Sequence, residues 1–183
     1  MRSLTFALLS LLATSCIPIR IAPVIKENKI MKANKFKRKL PKRYSFIFED
    51  PKDADEFYNY INIKFQLDFQ DVDWDVTFEL DDIVYYMSFY ETEIPNKTLN
   101  LIPFLIDAKL DNSGIDPIFE DSYVSRHENW YVVITVNNDE STDCLHPNYE
   151  NRHKIIAYLK NLRQEYLNTH NYEEVLLKQE SPN

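Results

Sequence analysis

Trp130-Tyr131-Val132-Val133-Ile134-Thr135-Val136 is the stretch from which the fold is read. Five of its seven residues are β-branched and two are aromatic, side chains that fit a pleated, largely buried surface. Seven such residues suit a strand and are too few for a typical helix. Upstream, Asp75-Val76-Thr77-Phe78-Glu79-Leu80 alternates apolar and polar positions, Asp81-Asp82 reads as a turn, and Ile83 to Tyr90 resumes extended structure. Together these predict a β-hairpin. Arg43 to Glu49 also has strand composition. Thr98 to Ala108 is apolar and strand-like, with Pro103 pushing it toward a sheet edge or a bulge. Asp111-Asn112-Ser113-Gly114 reads as a turn.

Helices are needed to cover such strands. Asp50, Pro51 and Asp53 form a helix-start signal: a capping carboxylate, a proline suited to the first helical position and an acid in the first turn. Phe57, Tyr60, Ile61 and Phe65 follow at helical spacing. Pro147-Asn148 opens a second helix, with a stripe of Ile155, Ile156, Leu159, Leu162 and Tyr166. The order β-α-β-β-β-β-α predicts an α+β fold. Its antiparallel sheet has about four to five strands, with two helices (about 51–66 and 148–169) on one face. Phe57, Ile61, Phe65, Val132, Ile134, Ile155, Leu159 and Leu162 are the expected core.

The 183 residues suit one domain, and 44% hydrophobic with 14% aromatic content is ample for a core. The single glycine, Gly114, excludes a Walker loop, a Rossmann glycine fingerprint and a nucleophile elbow, each of which needs at least two glycines.

The N-terminus carries Arg2, an apolar run from Leu4 to Ala13, then small residues and Cys16. The run is too short to span a bilayer and has the tripartite form of a secretory signal. Ala13-Thr14-Ser15-Cys16 resembles the lipobox of bacterial lipoproteins, although Ala13 stands where that box usually has leucine. The resemblance covers about the first 16 residues and implies diacylation of Cys16, which becomes the first residue after cleavage. Ala13-Thr14-Ser15 equally fits an ordinary signal peptidase, which leaves plain secretion as the alternative. Cys144 is then either a lone thiol or, if Cys16 is free, its disulfide partner.

Charge divides the chain. Residues 20–43 hold ten basic side chains and one acid, Glu27, for a net of +9, whereas residues 44–183 hold 28 acids and ten basic residues, for a net of −18. The expected organisation is a signal peptide over 1–15, a lipid-anchored basic arm over 16–42, one α+β domain over 43–177 and a disordered tail over 178–183. Lys35, Lys37, Arg38, Lys39, Lys42 and Arg43 are expected to touch an anionic leaflet or to dock on the acidic body. An extracytoplasmic address and an acidic body both argue against nucleic acid as a partner.

Three groupings are candidates for chemistry. Asp71, Asp73 and Asp75 resemble the first half of a calcium loop. Val76 stands where that loop needs glycine and Asp82 where it needs glutamate, so a solvated acidic turn is the better reading and no metal is expected. Cys144 and His146 could form a thiol site, although neighbouring Asp139, Glu140 and Asp143 would raise the thiol pKa. Tyr85, Tyr86, Phe89 and Tyr90 alternate across one strand, which places at least one tyrosine on the outer face, where it either binds a peptide or sugar or simply serves the sheet.

No catalytic residue and no cofactor is expected. The chain reads as an envelope lipoprotein held in the outer membrane of a Gram-negative bacterium by lipid on Cys16. Its role is to bind an unknown protein partner or to help assemble an envelope complex. The alternatives are a secreted or periplasmic hydrolase or thiol enzyme, and an acidic immunity or inhibitor-like protein.

Overall fold

Trp130–Asn137 is the central strand of a five-stranded antiparallel sheet. The structure, a computed structural model, describes residues 16–100 and 124–173. Its elements in chain order are β1 (Cys16–Arg20), β2 (Lys29–Lys32), α1 (Ala33–Phe36), β3 (Tyr44–Asp50), α2 (Glu56–Phe65), β4 (Val76–Leu80), β5 (Ile83–Glu93), β6 (Asn96–Asn100), β7 (Val124–His127), β8 (Trp130–Asn137) and α3 (Arg152–Asn168). Contacts divide the chain into two compact units, one of Met1–Pro23 with Ile94–Asn129, the other of Val24–Glu93 with Trp130–Asn183.

The larger unit holds the sheet β2-β3-β8-β5-β4 and establishes the α+β class. Phe46, Phe48, Phe78, Tyr85, Met87, Phe89, Val132, Ile134 and Val136 line one face, as the registers Phe46↔Ile134, Phe89↔Ile134, Met87↔Val136 and Phe78↔Tyr85 require. Both α2 and α3 cover that face. Phe57 packs edge-on against Phe89 at 4.9 Å and Tyr166 at 5.0 Å, and Tyr158 stacks on Phe78 at 4.4 Å. Each ring buries a large apolar area, and each such pair adds about 0.5–1.5 kcal/mol beyond it. Seven of the eight expected core residues are buried, and Phe65 is half-buried against them.

Tyr131 to Val136 are buried without alternation because the other face of β8 is covered too. The cover is α1 with the loop after it. Ala33 is fully buried, and the Phe36 ring meets Tyr131 edge-on at 5.1 Å. The segment is pinned at both ends: Ala33 N–H donates to Arg43 O and Asn34 N–H to Pro41 O, at 2.9 and 3.0 Å. Residues 24–42, expected as an arm outside the domain, are therefore part of the larger unit. Within them β2 supplies an edge strand, and its flanking Lys29 and Lys32 are the exposed cations with which edge strands deter further pairing.

Both helices start later than the sequence suggests. The Asp50 carboxylate closes a turn onto Lys52 N–H at 3.0 Å instead of capping a helix, and Asp55 is left-handed at φ 66, so α2 begins at Glu56 and not at 51. Pro147 to Asn151 form successive turns, and α3 runs from Arg152 to Asn168 where 148–169 was expected. The 81–82 turn holds as read: Asp81 and Asp82 take φ of 53 and 61, the two left-handed residues of a type I′ hairpin.

The smaller unit is a three-stranded antiparallel sheet, β1-β6-β7. Pro18 sits on the edge strand β1, where a missing N–H is tolerated, and the register slips between Pro18 and Arg20. The Asn96 carboxamide accepts Ala22 N–H, and Ile94 N–H donates to Asn129 O at 2.8 Å, closing its base. Of the expected strand 98–108, Thr98 to Asn100 lie in β6 of this second sheet. Residues 101–108, the turn at 111–114, the signal peptide 1–15 and the tail 178–183 lie outside the described residues.

Candidate functional site

The outer face of the larger unit's sheet carries a cleft of about 240 Å³ lined by Pro41, Arg43, Trp74, Asp75, Ser88, Tyr90, Thr135, Asn137 and Ser141. Strand alternation places the floor: Ser88 and Tyr90 on β5 share a face with Thr135 and Asn137 on β8, and Ser88 pairs with Thr135 in the register. Tyr85 and Phe89 point into the core, and Tyr86 and Tyr90 both take the outer face, where at least one tyrosine was expected. Tyr86 donates to the Asp139 carboxylate at 2.6 Å, and Tyr90 faces the cleft.

One wall is the turn that leads into β4. Trp74 N–H donates to Asp71 O at 3.0 Å, and Phe89 N–H donates to Asp73 O at 3.0 Å, which ties the turn to β5. Between Gln66 and Asp75 five residues have positive φ: Gln66, Asp68, Phe69, Asp71 and Asp75. Aspartate tolerates that region because its short side chain hydrogen-bonds locally, whereas Phe69 at φ 61 costs about 1–2 kcal/mol. This backbone holds Trp74 at the rim with 57% of its surface exposed. Arg43, from the opposite wall, donates from Nη1 to Ser141 O at 3.2 Å.

The polar groups of the floor are partly engaged with one another. Ser88 Oγ accepts Asp75 N–H at 3.0 Å and donates to Asp75 Oδ1 at 3.3 Å, and Thr135 Oγ1 donates to Ser88 O at 3.3 Å. Asp75 Oδ2, the Asn137 carboxamide and the Tyr90 hydroxyl have no such engagement among the described residues. Burial and the Asp73 charge raise the Tyr90 pKa, with Arg43 opposing, so its hydroxyl keeps its proton at neutral pH.

The calcium-like triplet does not converge. Asp73 and Asp75 give main-chain and side-chain groups to β5, and no group of three or more potential metal ligands exists among the described residues. Cys144 is buried, its thiol donates to Thr142 O at 3.3 Å, and burial pushes its pKa up to about 11. His146 packs edge-on against Tyr44 and its Nδ1 accepts Asn148 N–H at 3.2 Å. The thiol is therefore protonated at neutral pH, and the imidazole is engaged elsewhere.

The basic segment separates by side chain. Lys37 Nζ donates to Thr92 Oγ1 at 2.6 Å and Glu93 O at 3.0 Å, and Arg43 lines the cleft, whereas Lys35, Arg38, Lys39 and Lys42 are exposed. Cys16 opens β1, opposite Asn100.

A second polar cluster was not foreseen. Tyr166 donates its hydroxyl to the Asp50 carboxylate at 2.9–3.0 Å, and burial raises the Asp50 pKa. Lys52 Nζ donates to Tyr166 O at 2.7 Å and Thr169 O at 2.6 Å, a cation placed on the last carbonyls of α3. Burial lowers its pKa, with Glu56 and Asp50 opposing. Glu91 accepts Asp55 N–H on one oxygen at 3.1 Å, and burial raises its pKa. The cluster ties α2, α3 and the sheet together. A groove of about 400 Å³ along α3 has Arg163 engaged with Lys26 O and the Phe48 ring, and no aromatic side chain lines it.

No family model matches this chain, and neither a curated protein nor a solved structure matches it.

Proposed function

We propose that the chain is an envelope lipoprotein, attached through lipid on Cys16, that acts as a non-enzymatic binding or assembly module. The outer-face cleft carries the binding half of this reading. An indole held more than half exposed beside unengaged donors and acceptors is an arrangement for recognition. The protonated, buried Cys144 supports binding over thiol chemistry. Anchoring rests on the apolar leader and the lipobox-like Ala13-Thr14-Ser15-Cys16. Two or more acyl chains hold a protein stably in a bilayer where one does not. The expected location is the outer membrane of a Gram-negative cell.

Labelling with palmitate in a Gram-negative host, followed by fractionation, tests the anchor. The wild-type chain is expected to take up label and sediment with membranes, and Cys16→Ser to lose the label and move to the soluble periplasmic fraction. A Cys16→Ser protein that stays membrane-bound at high salt would overturn the lipoprotein reading.

A further inference from the structure

We infer that the cleft between Trp74, Tyr90 and Arg43 is a saccharide site that takes one ring of a neutral or N-acetylated sugar. The inference rests on the binding-module reading and names its ligand class. A pyranose presents an apolar C–H face and a rim of hydroxyls, each of which both donates and accepts. The exposed indole of Trp74 supplies the platform for the apolar face. The rim meets groups of mixed character: Asp75 Oδ2 accepts, the Arg43 guanidinium nitrogens not bonded to Ser141 donate, and the Asn137 carboxamide and Tyr90 hydroxyl do both. The planar Asn137 carboxamide can address two neighbouring hydroxyls at once, one through its oxygen and one through its nitrogen.

The same inventory argues against other occupants. A peptide carboxylate calls for donors alone, and here it would meet Asp75. A lysine calls for acceptors alone, and would meet Arg43. An apolar side chain would find no aliphatic wall except Pro41. At about 240 Å³ the cleft is below the usual range for drug-sized ligands, about 300–1,000 Å³, which suits a single ring or the end of a glycan.

The test is isothermal titration calorimetry of the full chain in detergent. The chain is titrated with soluble oligomers of N-acetylhexosamine, neutral hexose and uronic acid to about 10 mM, and with mixed-sequence tetrapeptides over the same range. A saturable heat with a neutral or N-acetylated oligomer is expected, with affinity lowered at least about tenfold by Trp74→Ala and by Asp75→Asn. Phe69→Ala, which removes an exposed ring that does not line the cleft, is expected to leave it unchanged. Thermal melts identify any variant that fails to fold, and Trp74→Phe, which keeps a stacking ring, is expected to retain most of the affinity. No response to any oligosaccharide, or one that survives Trp74→Ala, overturns the saccharide site. A Trp74-dependent response to peptide alone also overturns it while upholding the binding module. Loss of the lipid anchor in the palmitate experiment would leave the saccharide site standing.

Discussion

Replacing Tyr166 with phenylalanine removes one hydroxyl and keeps a ring that packs against Phe57 at 5.0 Å and Tyr60 at 5.3 Å. That hydroxyl donates to both oxygens of Asp50, which is 8% exposed and otherwise accepts Lys52 N–H. A hydrogen bond to a charged group contributes about 1.5–3 kcal/mol, and the buried acceptor left behind places the cost toward the upper end. At neutral pH the expected loss is about 2–3 kcal/mol, or a fall in Tm of roughly 5–10 °C for a chain of this size. The cost should depend on pH with a definite sign. Burial already raises the Asp50 pKa above 3.8, and the Tyr166 hydroxyl opposes that rise. Between the ordinary carboxylate range and the raised value, the folded state holds more protons than the unfolded one, so stability falls as pH rises through that window. Tyr166→Phe raises the folded pKa further and deepens that fall. Near pH 3, where Asp50 is protonated in both states, only a neutral hydrogen bond of about 0.5–1.5 kcal/mol is lost. Urea melts of both proteins at pH 3 and pH 7 measure the difference, and a cost at pH 3 equal to or above that at pH 7 would refute the role assigned to this carboxylate.

Lys37→Met keeps the aliphatic stem but withdraws two donors from Thr92 and Glu93, so it is expected to cost about 1–2 kcal/mol in a denaturant melt. Lys39→Met, at an exposed position, should stay within about 0.5 kcal/mol, and equal losses would reject Lys37 as the clasp of the outer face. Cys144, with its pKa near 11, should resist iodoacetamide at pH 7.5 in the folded chain and react once urea is added. Rapid native alkylation would restore a thiol site to consideration.

The parts of the fold legible in sequence are those decided locally. β8 follows from a run of β-branched residues, the 76–93 hairpin from alternation and an Asp-Asp turn, and the α3 stripe from helical spacing. What misled was long-range. Asp50 looks like a helix cap until Tyr166, 116 positions later, claims its carboxylate. Lys29-Ile30-Met31-Lys32 looks like part of a cationic arm because two of its four residues are charged, yet half-buried Ile30 and Met31 are enough for an edge strand paired on one side only. The cleft was half legible. Alternation placed at least one tyrosine of β5 on the outer face without saying which, and nothing in the spacing of Trp74, inside an aspartate-rich turn, marks it as the rim. The Asp50, Lys52 and Glu91 cluster left no signal, since its members come from β3, the following turn and β5.

The basic segment shows how sequence charge and folded charge part company. Read along the chain, residues 35–43 form one cationic run with a choice between the membrane and the acidic body. In the fold these side chains go separate ways. Lys37 turns inward to carbonyl and hydroxyl oxygens of β5, and Arg43 becomes a wall of the cleft. Within 35–43 only Lys35, Arg38, Lys39 and Lys42 stay exposed, so whatever attraction to an anionic leaflet this run supplies belongs to those four, at about 1 kcal/mol each close to the surface. Docking and membrane contact thus make no competing demands on the same residues. The α1 segment seals the outer face of the sheet beside the cleft, and neutralising its exposed lysines would change surface charge without loosening that seal.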